Sequence, residues 1–108
     1  MTRLEPLKII VLCRSWREVD YMIHNLVLSH KFTAVNFGQR RIVTKSNDVI
    51  RFYTIDSKTM DGLSADVLVK DGEITNQDRQ MVRYSRLDPA DKSIWSYEDL
   101  LDYLGRDS

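Results

Sequence analysis

Arg79, Arg83 and Arg86 stand at i, i+4 and i+7, the spacing that lines side chains along one face of a helix. Such a row suits the phosphate backbone of a nucleic acid, and it suits a solvated helix face equally well. A second basic group, Arg40, Arg41, Lys45 and Arg51, falls on what reads as a pair of strands. Arg40 and Arg41 are adjacent, and side chains alternate along a strand, so at most one of them joins a given patch. Arg14 and Arg17 flank the start of a helix, where free backbone N–H groups favour an anion, but Glu18 competes for the same charge.

Nucleophiles and metal ligands are sparse. Cys13 is the one cysteine, inside an apolar run, and its type and place read as a small core residue. His24 and His30 are six apart, which on a helix is not the i, i+4 geometry of a metal pair, and neither has a Cys or carboxylate at ligand spacing. The Ser, Thr and Asp residues show no nucleophile motif. No metal and no cofactor are expected.

These residues need elements to hold them. Leu7 to Cys13 is a nearly continuous apolar run, as in a strand buried on both faces. Ser15-Trp-Arg-Glu18 has the form of a capping box and predicts a helix from Trp16 to His30. Its buried face would carry Trp16, Val19, Met22, Ile23, Leu26 and Val27. Phe32 to Phe37 reads as extended, Gly38 as a turn. Arg40 to Lys45 and Val49 to Ile55 read as strands joined at Ser46-Asn47-Asp48. Residues 56–64 are polar with a turn signal at Asp61-Gly62, and Ala65 to Val69 is a further apolar strand. Thr75, with Asp78 three residues on, caps a helix to about Arg86, which Asp88-Pro89 ends. Ser96 and Asp99 cap a last helix, Tyr97 to Leu104, closed by Gly105. Trp95, Tyr97, Leu100, Leu101, Tyr103 and Leu104 make this segment aromatic and apolar. It either packs on its own domain or, with Trp95, Tyr97, Leu101 and Tyr103 outward, offers a groove-binding helix to a protein partner. The order predicts one small α/β domain over residues 1–108, with a central, partly parallel sheet flanked by helices.

One passage carries a resemblance. The strand IIVLCRS, the helix, the paired strands with NDVIRFYT and then DGLSADVLVKDG follow the order found in phage terminase large subunits and related helicase-like P-loop NTPases. About three fifths of the chain, Ile9 to Ile74, resembles the middle of that ATPase domain. The resemblance implies a truncated P-loop-like fold, a phage origin, and Asp71 at the position of the Walker B aspartate that holds magnesium. Asp66 matches the aspartate before that strand, a structural one, and Lys70 takes a place that is usually apolar. Gly72 falls where the family has its catalytic glutamate, and Glu73 is one residue too late, so strand alternation aims it elsewhere. No glycine of this chain opens a G-x-x-x-x-G-K-[ST] phosphate loop, and only six residues precede Leu7. Without that cradle, phosphoryl transfer loses most of its positioning, and the expectation is a protein that is not an enzyme. Val-Lys-Asp71-Gly72-Glu-Ile also reads as a two-residue hairpin, with Asp71 in the turn and Glu73 starting a return strand. Both readings stay open.

A chain of 108 residues fits one core, and its apolar share of 43% is that of a soluble globular protein. The apolar runs are too short to span a bilayer and no signal-like segment is visible, so a cytoplasmic protein without membrane contact is expected. Net charge is zero, which argues against an obligate nucleic-acid coat protein. It is unevenly placed: up to Met60 ten Lys or Arg face five Asp or Glu, and beyond it six face eleven. The combined expectation is a small non-catalytic accessory or regulator that engages a nucleic-acid-processing protein. A nucleic-acid-binding module using Arg79, Arg83, Arg86, Arg41 and Arg51 is the second reading. A partial ATPase completed in trans is the third. An unpaired parallel edge would also give a reason to homodimerise.

Overall fold

The architecture comes from a computed structural model, and it describes residues 6–55, 65–80, 82 and 94–107. Nine elements follow in order: β1 (Lys8–Cys13), α1 (Trp16–Ser29), β2 (Ala34–Asn36), β3 (Arg41–Val43), β4 (Val49–Thr54), β5 (Val67–Val69), α2 (Asn76–Gln80), β6 (Ile94–Trp95) and α3 (Tyr97–Asp107). Six strands form one mixed sheet in the order β2-β3-β4-β1-β5-β6. β1 is parallel to β4 on one side and β5 on the other, and β6 is parallel to β5. β3 runs antiparallel between β2 and β4. The expected central, partly parallel sheet with flanking helices is present.

The apolar run of β1 is explained by its place. Ile9, Val11 and Cys13 face a core shared with Val19, Ile23 and Leu26 of α1 and Leu100 and Leu104 of α3. Ile10 and Leu12 face the other side, with Leu68, Ala65 and Val82. A strand covered on both faces has no use for alternation. β4 is as far from an edge as β1 yet does alternate, Ile50 and Phe52 buried and Arg51 exposed, so one of its faces is less covered.

α1 begins where the capping box places it. Ser15 is extended, and its Oγ accepts from Glu18 N at 3.2 Å. Trp16 departs from the expected buried face: it is 42% exposed, and the Arg40 guanidinium lies over its ring at 4.5 Å. Arg40 itself is in the turn before β3, at φ 51, not on the strand. Its Nε also meets Asp20 Oδ1 at 3.3 Å, so a left-handed arginine is held by two side chains of α1. Gly38 lies in the turn over residues 37–40, as expected, without taking a positive φ.

The Asp71-Gly72 hairpin does not form. A type I′ turn needs positive φ at both central residues, and only Gly72 has it, at φ 98. The chain runs instead into α2, where Thr75 and Asp78 cap reciprocally: Asp78 N donates to Thr75 Oγ1 at 3.1 Å and Thr75 N to Asp78 Oδ2 at 2.9 Å. The strand expected from Ala65 is ordered as β5 only from Val67, with Ala65 in an isolated bridge to Val82. α3 continues two residues past Gly105, which is not left-handed and so does not stop the helix. The turn at residues 56–64, the helix end near Arg86 and the Asp88-Pro89 stop lie outside the described residues.

Candidate functional site

Connections from β1 and β5 leave in opposite directions. After β1 the chain crosses to β2 at one edge and comes back through β3 to β4, and after β5 it goes on to β6 on the other side. In an open α/β sheet such a divergence leaves a crevice beyond the carboxyl ends of the two strands, the usual place for a ligand. A cavity of about 300 Å³ opens there. Cys13 and Arg14 at the end of β1, Glu18 and Met22 of α1, Lys70 and Asp71 after β5 and Tyr97 of α3 face it.

Asp71, Lys70 and Cys13 in its lining each have a partner. Asp71 Oδ1 accepts from Tyr97 N at 3.0 Å, serving one of the free N–H groups at the start of α3. Ser96 and Asp99 cap the same helix start, with Ser96 N donating to Asp99 Oδ2 at 2.9 Å and Asp99 N to Ser96 Oγ at 3.2 Å. Lys70 Nζ donates to Asp78 Oδ2 at 2.6 Å. Burial opposes the charge on Asp78, but hydrogen bonds from Lys70 and Thr75 outweigh it and hold the carboxyl below its ordinary value. The Cys13 thiol contacts Met22 Sδ at 3.1 Å. Burial, with the carboxylates of Glu18 and Asp71 adding to it, pushes that thiol up to about 12. A thiol so raised is not a nucleophile at neutral pH. Burial also pushes the Tyr97 hydroxyl up, helped by Cys13 and Asp71. Glu73 is exposed in the loop before α2 and is not among the residues that line the cavity.

The basic residues separate into distinct places. Arg41 and Arg51 are directly opposite across β3 and β4. Arg79 is exposed on the short α2, while Arg83 and Arg86 lie outside the described residues, so the three-arginine row is described at one position only. Arg14 lines the crevice; Arg17 is exposed on α1. Among the described residues no group of three His, Cys, Asp or Glu could hold a metal. His24 packs against Phe37 and His30 near Phe32. Trp95, Tyr97, Leu101 and Tyr103 are half-buried and pack against the domain's own core. Asp66 is structural, as the resemblance implies: its Oδ2 accepts from Lys8 N at 2.9 Å at the start of β1.

One residue escaped sequence reasoning. Asp48 is fully buried; its Oδ1 accepts from Leu7 N at 2.8 Å and its Oδ2 from the Tyr103 hydroxyl. Next to Asn47, which has φ 68, it reads as an ordinary turn residue, and no local signal separates the two roles. Comparison with known proteins finds no matching family model, no matching curated protein and no matching solved structure. Among the described residues, no helix is long and apolar enough to cross a membrane.

Proposed function

We propose that this chain is a non-catalytic binding protein: a trimmed P-loop-like sheet kept as a scaffold, acting as an accessory or regulator of a nucleic-acid-processing protein. Its setting, on the resemblance, is a phage and the cytoplasm of its host. The observation that carries the reading is the use made of Asp71. The carboxylate that would hold magnesium serves instead as a helix cap, and the next residue, where a catalytic glutamate would stand, is a left-handed glycine. The likeness is supported by the parallel β4-β1-β5 core, which sets the arginine-ended strand beside the one that delivers Asp71. Tyr21 and Leu28, seven residues apart on α1 and 69% and 85% exposed, offer apolar contact to a protein partner.

A second reading, a partial ATPase completed in trans, is favoured by the crevice, since Asp71 faces it at a switch point. Calorimetric titration of the chain with ATP, with and without magnesium, separates the two. The scaffold reading expects no heat with either, and expects Asp71→Ala to lower stability by about 1 kcal/mol through the α3 cap. Magnesium-dependent binding that Asp71→Ala abolishes would overturn it in favour of the second.

A further inference from the structure

We propose that the sheet face carrying Arg41, Arg51 and Lys8 binds the backbone of a single-stranded nucleic acid. The inference is independent of the reading of the crevice. Phe52 N donates to Arg40 O at 3.1 Å, so residues 40 and 52 are a hydrogen-bonded pair. The next pair, Arg41 and Arg51, is therefore non-hydrogen-bonded, the type in which Cα atoms come to about 4.5 Å and side chains lie closest. Like charges directly opposite destabilise a sheet.

Nothing on the protein offsets that cost among the described residues. Arg40 has Asp20 and Lys70 has Asp78, but neither Arg41 nor Arg51 makes an ion pair. Arg51 is exposed and Arg41 half-exposed. Lys8 is paired in register with Val49, so it shares this face one row away, about 7 Å along the strands. Three cations thus span two rows, which a chain of repeated phosphates covers and one phosphate does not. The β1 to β4 residues on this face include no acid; Asp66, beside Lys8 just before β5, is 2% exposed and its Oδ2 accepts from Lys8 N.

Tyr53 selects the single strand. It lies two residues beyond Arg51 on the same face and is half-buried, packed against the cluster of Ile10, Leu12, Ala65, Leu68 and Val82. A ring fixed on a sheet beside cations is a platform on which an unpaired base can stack, and a duplex has no free base to offer. The arginine pair supplies the charge and Tyr53 the preference.

The test is fluorescence anisotropy of a labelled oligothymidylate with the full chain across a salt series. Binding should weaken with salt, and Arg41→Gln/Arg51→Gln should cut affinity on the order of tenfold at low salt. The same change should reduce the log–log salt slope by about 1.4, at about 0.7 per contact with a single strand. Tyr53→Leu should weaken binding severalfold without changing the slope. Relief of the facing charges should leave the double variant melting at or above the parent temperature, so loss of binding is not loss of fold. No binding at low salt, or binding indifferent to both arginines, would overturn the proposal. So would equal affinity for duplex DNA or for polyglutamate.

Discussion

Burial moves the Cys13 thiol from an ordinary 9.0 to about 12, with Glu18 and Asp71 adding to the shift, and this has a consequence for stability. Below 9 the thiol is protonated whether the chain is folded or not, and it adds no pH dependence. Above 9 the unfolded chain releases the proton and the folded one keeps it, so the unfolded state binds fewer protons and stability falls as pH rises. The loss is at most about 1.4 kcal/mol per unit, or about 4 kcal/mol by pH 12. Urea melts of the parent and Cys13→Ala between pH 7 and 11 should therefore converge or cross as the parent loses ground. Parallel curves would mean that Cys13 ionises in the fold as it does in water. The residue type had already pointed to a core role. What composition could not supply was the pair of carboxylates, since they reach Cys13 from α1 and from the end of β5.

At the level of elements, what could be read from sequence was what neighbours in the chain decide. The Ser15, Thr75 and Ser96 caps all form where expected, because a capping box closes within four residues. Interactions set by register or by distant strands were not legible. The Arg41–Arg51 pairing depends on how β3 aligns with β4, and the two-residue β6 is too short to carry a pattern. Asp71 takes its role from α3, 26 positions away. Asp48 is the extreme case, joining the chain before β1, the start of β4 and the second turn of α3 through one carboxylate. Asp48→Ala strands the Leu7 N–H and the Tyr103 hydroxyl, and the two lost charge-assisted bonds should cost about 3 kcal/mol. Tyr103→Phe removes only one partner and should cost about 1 kcal/mol in the same urea melts. Equal losses for the two would show that the Leu7 contact contributes nothing.

Over the whole molecule, strand order keeps the two halves of the chain apart. β2, β3, β4 and β1 occupy one side of the sheet and β5 and β6 the other, so the strands of the basic and acidic halves of the chain do not interleave. The core ignores that division. Leu100 and Leu104 of α3, 0% and 3% exposed, join the cluster that holds Leu7, Ile42 and Ile50 of the basic side. Removing one such leucine to Ala costs about 3 kcal/mol, against a total of about 5–15 kcal/mol for a domain. A chain ending at Ser93 would lose both leucines, the β6 pairing and the Tyr103 bond to Asp48 together. It should show no cooperative urea transition, whereas Leu28→Ala on the outer side of α1 should melt within about 0.5 kcal/mol of the parent. A shortened chain with an unchanged midpoint and slope would mean that α3 is an appendage free to dock elsewhere. Loss of cooperativity makes it the part of the fold that closes the core over both halves.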